Sequence, residues 1–135
     1  MQCVVLGGGS WGTALAIQLA RNGHQTILWD RNADRCERMN ADRSNPTYLR
    51  NIPFPEGLTA EHDLARALAG AALVVPCVPS HALRDVLLQG QPYIEDHVVL
   101  CCATKGIEQE TVDRVIGNLP QKKQAMFEPV EGPKP

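Results

Sequence analysis

The chain has 135 residues, 44% hydrophobic and 21% charged, with a formal net charge of −2. That length and balance suit one globular domain able to bury a core without disulfide staples. The charge excludes a basic field for nucleic acid, and no stretch of about 18 apolar residues is present to cross a bilayer as a helix.

The five cysteines, Cys3, Cys36, Cys77, Cys101 and Cys102, are odd in number and lack C-x-x-C spacing. Four fall in predicted strands, where cysteine behaves as a small buried hydrophobe. A reduced, cytoplasmic setting is expected, and no metal site. The chain enters its first strand at once, so no targeting segment is expected ahead of the fold.

Met1–Leu6 reads as a short buried strand, followed by Gly7-Gly8-Gly9-Ser10-Trp11-Gly12 and a helix over Ser10–Asn22. Strand, glycine turn and helix in that order are the context a G-x-G-x-x-G match needs to mean dinucleotide binding. Gly7 permits the tight turn, Gly9 lets a pyrophosphate approach the backbone, and Gly12 lets the helix pack on the strand. The helix N-terminus offers amides and a positive dipole end to the phosphates. Ser10 is the predicted N-cap and Gly23 the C-terminal stop. Ala16 and Ala20 extend the small face begun by Gly12.

Gln25–Trp29 is the second strand and ends at Asp30-Arg31. An acid at that place, about 20 residues past the glycine turn, reads the ribose of a dinucleotide. Asp30 would accept from the ribose hydroxyls of NAD and repel the 2′-phosphate of NADP; Arg31 would attract that phosphate. The balance tilts to NAD, because Asp30 acts on NADP directly whereas Arg31 can point to solvent. Asp30 can alternatively cap the next helix, predicted from Asn32 to Arg43 with Ala33, Cys36, Met39 and Asn40 inward.

A loop over residues 44–57 carries three prolines and the apolar Tyr48, Leu49, Ile52 and Phe54. Loops this long are functional or packed, and packing through those apolar residues is expected here. A short strand over Leu58–Ala60 and a helix over Asp63–Leu68 follow. Ala71–Val78 is an apolar run suited to a buried parallel strand, but Pro76 removes a ladder donor, so disturbed pairing or an early stop is expected. Pro79-Ser80 ends that strand and His81–Leu88 is helical. Ligands of open α/β sheets lie at strand C-termini, which places Pro79 in a wall beside the coenzyme; His81 reads as an ordinary surface residue. His97–Ala103 is a further buried strand ending at Thr104-Lys105-Gly106. Lys105 there can pair with a substrate phosphate or carboxylate, although spacing alone favours a solvated lysine. A helix over Thr111–Leu119, a last strand over Ala125–Val130 and a proline-rich tail complete the chain. The expected fold is a doubly wound, Rossmann-type parallel sheet in one domain, residues 1–130 with a tail at 131–135, and strand order 3-2-1-4-5.

Gly7-Gly8-Gly9-Ser10-Trp11-Gly12-Thr13-Ala14-Leu15-Ala16 resembles the opening signature of bacterial NAD(P)-dependent glycerol-3-phosphate dehydrogenases. Asn22-Gly23-His24, Leu28-Trp29-Asp30-Arg31, the Asn45–Pro55 loop, Val78-Pro79-Ser80 and Ala103-Thr104-Lys105-Gly106-Ile107-Glu108 resemble later blocks in the same order. The resemblance implies interconversion of dihydroxyacetone phosphate and sn-glycerol 3-phosphate with NAD(H) or NADP(H), feeding phospholipid synthesis. It implies that Ser10, Trp11, Arg31 and Lys105 contact the coenzyme and that Lys105 also touches the substrate.

It further implies a helical second domain, bearing the main catalytic lysine, that these residues do not include. No catalytic residue is therefore assigned to this chain, and self-association, as in a homodimer, is expected through apolar surface left for that domain. Three departures stand out: the missing second domain, the reduction of a Ser-Gly-Pro block to Gly132-Pro133, and Pro76 and Asp30 where the family has an aliphatic and a small residue. Two other readings remain: a stand-alone dinucleotide-binding or redox-sensing module, and half of a related 6-phosphogluconate or β-hydroxyacid-type dehydrogenase.

Overall fold

The computed structural model describes residues 1–103. Five parallel strands form one sheet: β1 (Gln2–Leu6), β2 (Gln25–Trp29), β3 (Leu58–Glu61), β4 (Leu73–Pro76) and β5 (Val99–Leu100). Their spatial order is β3-β2-β1-β4-β5, as expected. Helices α1 (Ser10–Arg21) and α2 (Ala33–Asp42) belong to one layer, and α3 (Leu64–Leu68) and α4 (Ser80–Gly90) to the other. The fold is the α/β doubly wound sheet read from the sequence. The predicted helix over Thr111–Leu119, the last strand, the tail and Lys105 lie outside the described residues.

β1 is central and wholly apolar after Gln2, because both of its faces are covered. Val4 and Leu6 pack with Val74, Leu83, Leu87 and Val98 on one face. Val5 packs with Ala16, Ile17, Leu28 and Met39 on the other. On α1 the buried residues are Gly12, Thr13, Ala16, Ile17 and Ala20. The small face at Gly12, Ala16 and Ala20 brings the helix axis close to the sheet. The helix stops at Asn22, with Gly23 left-handed at φ 88°. Gly23 N–H donates to Ala20 O at 3.0 Å and His24 N–H to Leu19 O at 3.2 Å, the two bonds of a Schellman stop.

Several expectations need correction. Gly9, not Ser10, is the N-cap of α1, and no side chain caps that end; Ser10 is already the first helical residue. In α2 the buried residues are Cys36 and Met39 only, and Ala33 is exposed. Asn40 reaches instead to the edge strand β3, donating to Ala60 O at 2.9 Å and accepting from Ala60 N–H at 2.8 Å. Among the described residues no strand pairs with the outer side of β3, and this one amide stands in its place.

The predicted strand over Ala71–Val78 is confined to Leu73–Pro76, and Pro76 pairs in register with Leu6. The carbonyls of Ala72, Val74 and Pro76 accept from Val99, Cys101 and Ala103 at 3.0, 2.9 and 2.9 Å. These residues therefore face β5, and the donor that proline lacks falls on the β5 side, not in the β1 ladder. That is why proline is tolerated beside the central strand and why β5 is short.

The expectation that His97–Ala103 is buried holds on one face only: Val98 and Leu100 are buried, whereas Val99 and Cys101 are exposed. The cysteines do not all behave as buried strand residues either. Cys3 does, but Cys77, Cys101 and Cys102 lie just past strand ends.

Candidate functional site

The C-terminal ends of β1, β2 and β4 open onto a cleft of about 410 Å³. The expected residues Gly7, Gly9, Ser10, Trp11, Gly12, Asp30, Arg31 and Pro79 all line it, as do Arg35, Tyr48, Cys77, Val78 and His81. It sits where the chain leaves β1 for β2 on one side and β4 on the other, the ligand crevice of open α/β sheets.

The glycines differ in what they do. Gly7 is left-handed at φ +126°, and a Cβ there would lie 3.1 Å from the Cys77 and Val78 backbone. A Cβ on Gly12 would run into the Gly7 carbonyl, so this glycine seats α1 against the turn. A Cβ on Gly8 would collide with the Asp30 carboxylate. At Gly9 a Cβ would meet nothing within 4 Å; it would point into open space.

The first intrahelical bond runs from Thr13 N–H to Gly9 O at 2.9 Å. The opening amides of a helix have no carbonyl a turn behind them and favour an anion. With no side chain capping the end and none at Gly9, the residues present fit a dinucleotide pyrophosphate. The Trp11 indole donates to Ala103 O at 3.2 Å. It ties the head of α1 to the chain two residues before Lys105.

Beyond β2, Asp30 is 5% exposed. One carboxylate oxygen accepts from Asn32 N–H at 2.9 Å and the other from Arg35 at 3.0 Å. The cap of α2 is Asn32, whose side chain accepts from Arg35 N–H at 3.0 Å; Asp30 braces that cap without being it. Arg31 is exposed at the cleft wall. The Arg35 guanidinium lies 5.3 Å from the centre of the Tyr48 ring, a cation–π contact. Its bond to Asp30 pushes the Arg35 pKa further up, so the side chain stays charged.

The long loop folds over the glycine turn. Leu49 and Ile52 pack on the core and Phe54 is buried, as expected of a packed loop, whereas Tyr48, expected to pack with them, is exposed. Its polar anchor is Asn45, fully buried, which donates to Gly8 O and to Thr13 Oγ1, both at 2.9 Å. The Asn45 carbonyl accepts from Tyr48 N–H at 3.3 Å, and Ser10 Oγ donates to Tyr48 O at 3.1 Å. The loop thereby holds Tyr48 at the cleft.

A family model described as NAD-dependent glycerol-3-phosphate dehydrogenase N-terminus matches residues 2–127. The chain belongs to this family. It is 52% identical over 107 residues to a glycerol-3-phosphate dehydrogenase [NAD(P)+] of Pseudoalteromonas translucida, covering 79% of this chain and 32% of that protein. A protein of the same name from Serratia proteamaculans is 49% identical over the same shares. The crystal structure of glycerol-3-phosphate dehydrogenase from Coxiella burnetii superposes with a TM-score of 0.81 at 37% identity, over 87% of this chain and 37% of that one. The chain spans about a third of the length of these curated relatives. Membership in the glycerol-3-phosphate dehydrogenase family disfavours both the stand-alone module and the 6-phosphogluconate-type alternative.

At this site the sequence reading missed Asn45, Tyr48 and Arg35. The N-P-x-Y spacing of Asn45, Pro46 and Tyr48 was the available signal for the first two. His81, read as a surface residue, is exposed but lines the cleft. Lys105, expected to touch coenzyme and substrate, lies outside the described residues.

Burial pushes the Cys77 thiol up to about 12, helped by the nearby Cys102 and Cys101. Burial, then the Asp30 charge, pushes Cys36 up to about 11. Both are raised from an ordinary value of 9.0. At neutral pH these thiols are protonated and poor nucleophiles. Above pH 9 the unfolded chain sheds protons that the folded chain keeps, so stability is lost as pH rises from there towards 11–12. Urea midpoints should therefore fall between about pH 8.5 and 10.5. The fall should be smaller in a Cys36→Ala/Cys77→Ala variant; an equal fall in both proteins would assign it elsewhere.

Proposed function

We propose that this chain is the coenzyme-binding part of an NAD(P)-dependent glycerol-3-phosphate dehydrogenase of glycerophospholipid synthesis. The observation that carries the reading is Gly9, open to the cleft at the head of α1 in a chain of this family. The bound nicotinamide would supply or accept the hydride that interconverts dihydroxyacetone phosphate and sn-glycerol 3-phosphate. The amides at the head of α1 would hold the pyrophosphate. Asp30, Arg31 and Arg35 would flank the ribose, and Trp11, Val78 and Pro79 would wall the ring end. Lys105 would meet the coenzyme and the phosphate substrate.

Hydride transfer also needs a positioned proton donor, which the family resemblance assigns to a helical second domain beyond these residues. The partners proposed are therefore that domain and a small phosphate ester, with a homodimer expected through apolar surface. A cytoplasmic setting fits five cysteines that are all unpaired. The tilt towards NAD is weakened by the two donors already on Asp30, so either coenzyme is proposed.

Trp11 and Trp29 both line the cleft, so coenzyme binding should quench tryptophan emission. The 135-residue chain should bind NADH or NADPH and reduce dihydroxyacetone phosphate slowly or not at all. No quenching by either nucleotide at about 1 mM, a weak-binding limit, would refute the coenzyme reading. Rapid reduction by this chain would refute the division of labour.

A further inference from the structure

Asp30 poses a contradiction, because the names of the relatives carry both NAD and NADP. A carboxylate at the end of β2 should repel a 2′-phosphate, yet this one is buried and paired. The Arg35 guanidinium sits 3.0 Å from its Oδ2, with the arginine side chain 31% exposed and the aspartate 5%. Arg35 is also fixed from a second side, over the Tyr48 ring. Its position is a partition: it lines the coenzyme cleft and also a neighbouring hollow of about 220 Å³ with Asn32, Arg38 and Thr47. A guanidinium carries five N–H donors in a planar fork suited to phosphate. One is spent on Asp30.

We infer that Arg35 determines how this chain divides its affinity between 2′-phosphorylated and unphosphorylated dinucleotide. The inference rests on the coenzyme reading above. Arg35 acts twice: it cancels the acid that would exclude the phosphate, and it offers donors to the phosphate itself. Arg31 acts once, because it is exposed and removing it uncovers no buried acid. Removing Arg35 therefore has the larger effect on the NADPH-to-NADH ratio, and removing Asp30 as well should reverse part of it.

The test is titration of NADH and NADPH, followed by tryptophan quenching, on wild type, R31Q, R35Q, D30N and D30N/R35Q. R35Q should weaken NADPH about tenfold relative to NADH, more than R31Q does, since a charge-assisted phosphate contact is lost and a carboxylate is exposed. The double variant leaves no unpaired buried charge and should recover about threefold of that ratio. If R35Q does not fold, D30N against D30N/R35Q carries the test: losing the arginine should then lower NADPH affinity alone.

A ratio in R35Q within about twofold of wild type, near the limit of such comparisons, would overturn the inference while leaving the coenzyme reading intact. So would a larger change in R31Q, or no difference between D30N and D30N/R35Q. Failure of wild type to bind either nucleotide would overturn the coenzyme reading, and the inference with it.

Discussion

Gly9→Leu should abolish binding of nicotinamide nucleotides and leave the fold intact, at a small loss of stability. Gly9 has φ −74° and ψ −175°, an extended conformation that any residue adopts. No heavy atom lies within 4 Å of the position its Cβ would take. A side chain there touches only the open cleft, so the loss of stability should come only from leucine being a poorer N-cap than glycine, up to about 1 kcal/mol. Binding should suffer because leucine fills the approach to the α1 amides. Losing a pyrophosphate held by several such amides amounts to at least about 100-fold in Kd, or roughly 3 kcal/mol.

Gly12→Ala is the contrasting case. Its Cβ meets the Gly7 carbonyl, which belongs to the backbone and cannot swing away. Helix and turn must separate, at about 1–3 kcal/mol of stability. Urea unfolding and tryptophan quenching on both variants separate the two roles. Full-strength coenzyme binding by Gly9→Leu would remove the basis for placing the pyrophosphate there.

The contrast shows what a sequence of this kind discloses. The order of strand, glycines and helix is local, and so is the contact of Gly12 with the Gly7 carbonyl; that part was legible, whereas Gly7 and Gly8 are crowded by Cys77, Val78 and Asp30 from further along the chain. The strand order was legible too, because β1 and β4 are continuous apolar runs separated by helical segments. Pro76 was legible as a disturbance but not in its direction. Which side of β4 lacks a donor depends on which carbonyls face β5, and that is a property of the assembled sheet.

The half-exposure of β5 follows from what covers each face. Alternation in Val98-Val99-Leu100 cannot reveal it when all three residues are apolar. Asp30 was located correctly, but its electrostatics were not readable. Its partner Arg35 is five residues on, across the cap of α2, in a segment that reads as an ordinary charged helix face. Asn45 was the hardest to find. Polar loop residues are usually solvated, and its burial depends on Gly8, 37 positions away.

That burial makes Asn45 the side chain whose loss should cost the most stability among those at the site. Asn45→Ala deletes two donated bonds and one accepted bond. Each is worth about 1 kcal/mol net, and the Gly8 carbonyl is left with only the long 3.4 Å bond from Thr13 Oγ1, giving roughly 2–4 kcal/mol. Against about 5–15 kcal/mol for a whole domain, that should show as a clear drop in the urea midpoint.

Asn45→Asp is nearly isosteric and distinguishes hydrogen bonding from packing. It keeps the acceptor for Tyr48 N–H but turns the donor into an oxygen facing the Gly8 carbonyl. Thr13 Oγ1, now 3.4 Å from Gly8 O, can turn its proton towards a carboxylate; the Gly8 carbonyl has no proton to turn. Asn45→Asp should therefore be at least as damaging as Asn45→Ala near neutral pH. If packing alone mattered, the aspartate variant would be close to wild type. Either variant should also weaken coenzyme binding, because Tyr48 and the Ser10 hydroxyl are held by the same loop. An Asn45→Ala protein within about 0.5 kcal/mol of wild type would mean that the loop is held by Leu49, Ile52 and Phe54 instead.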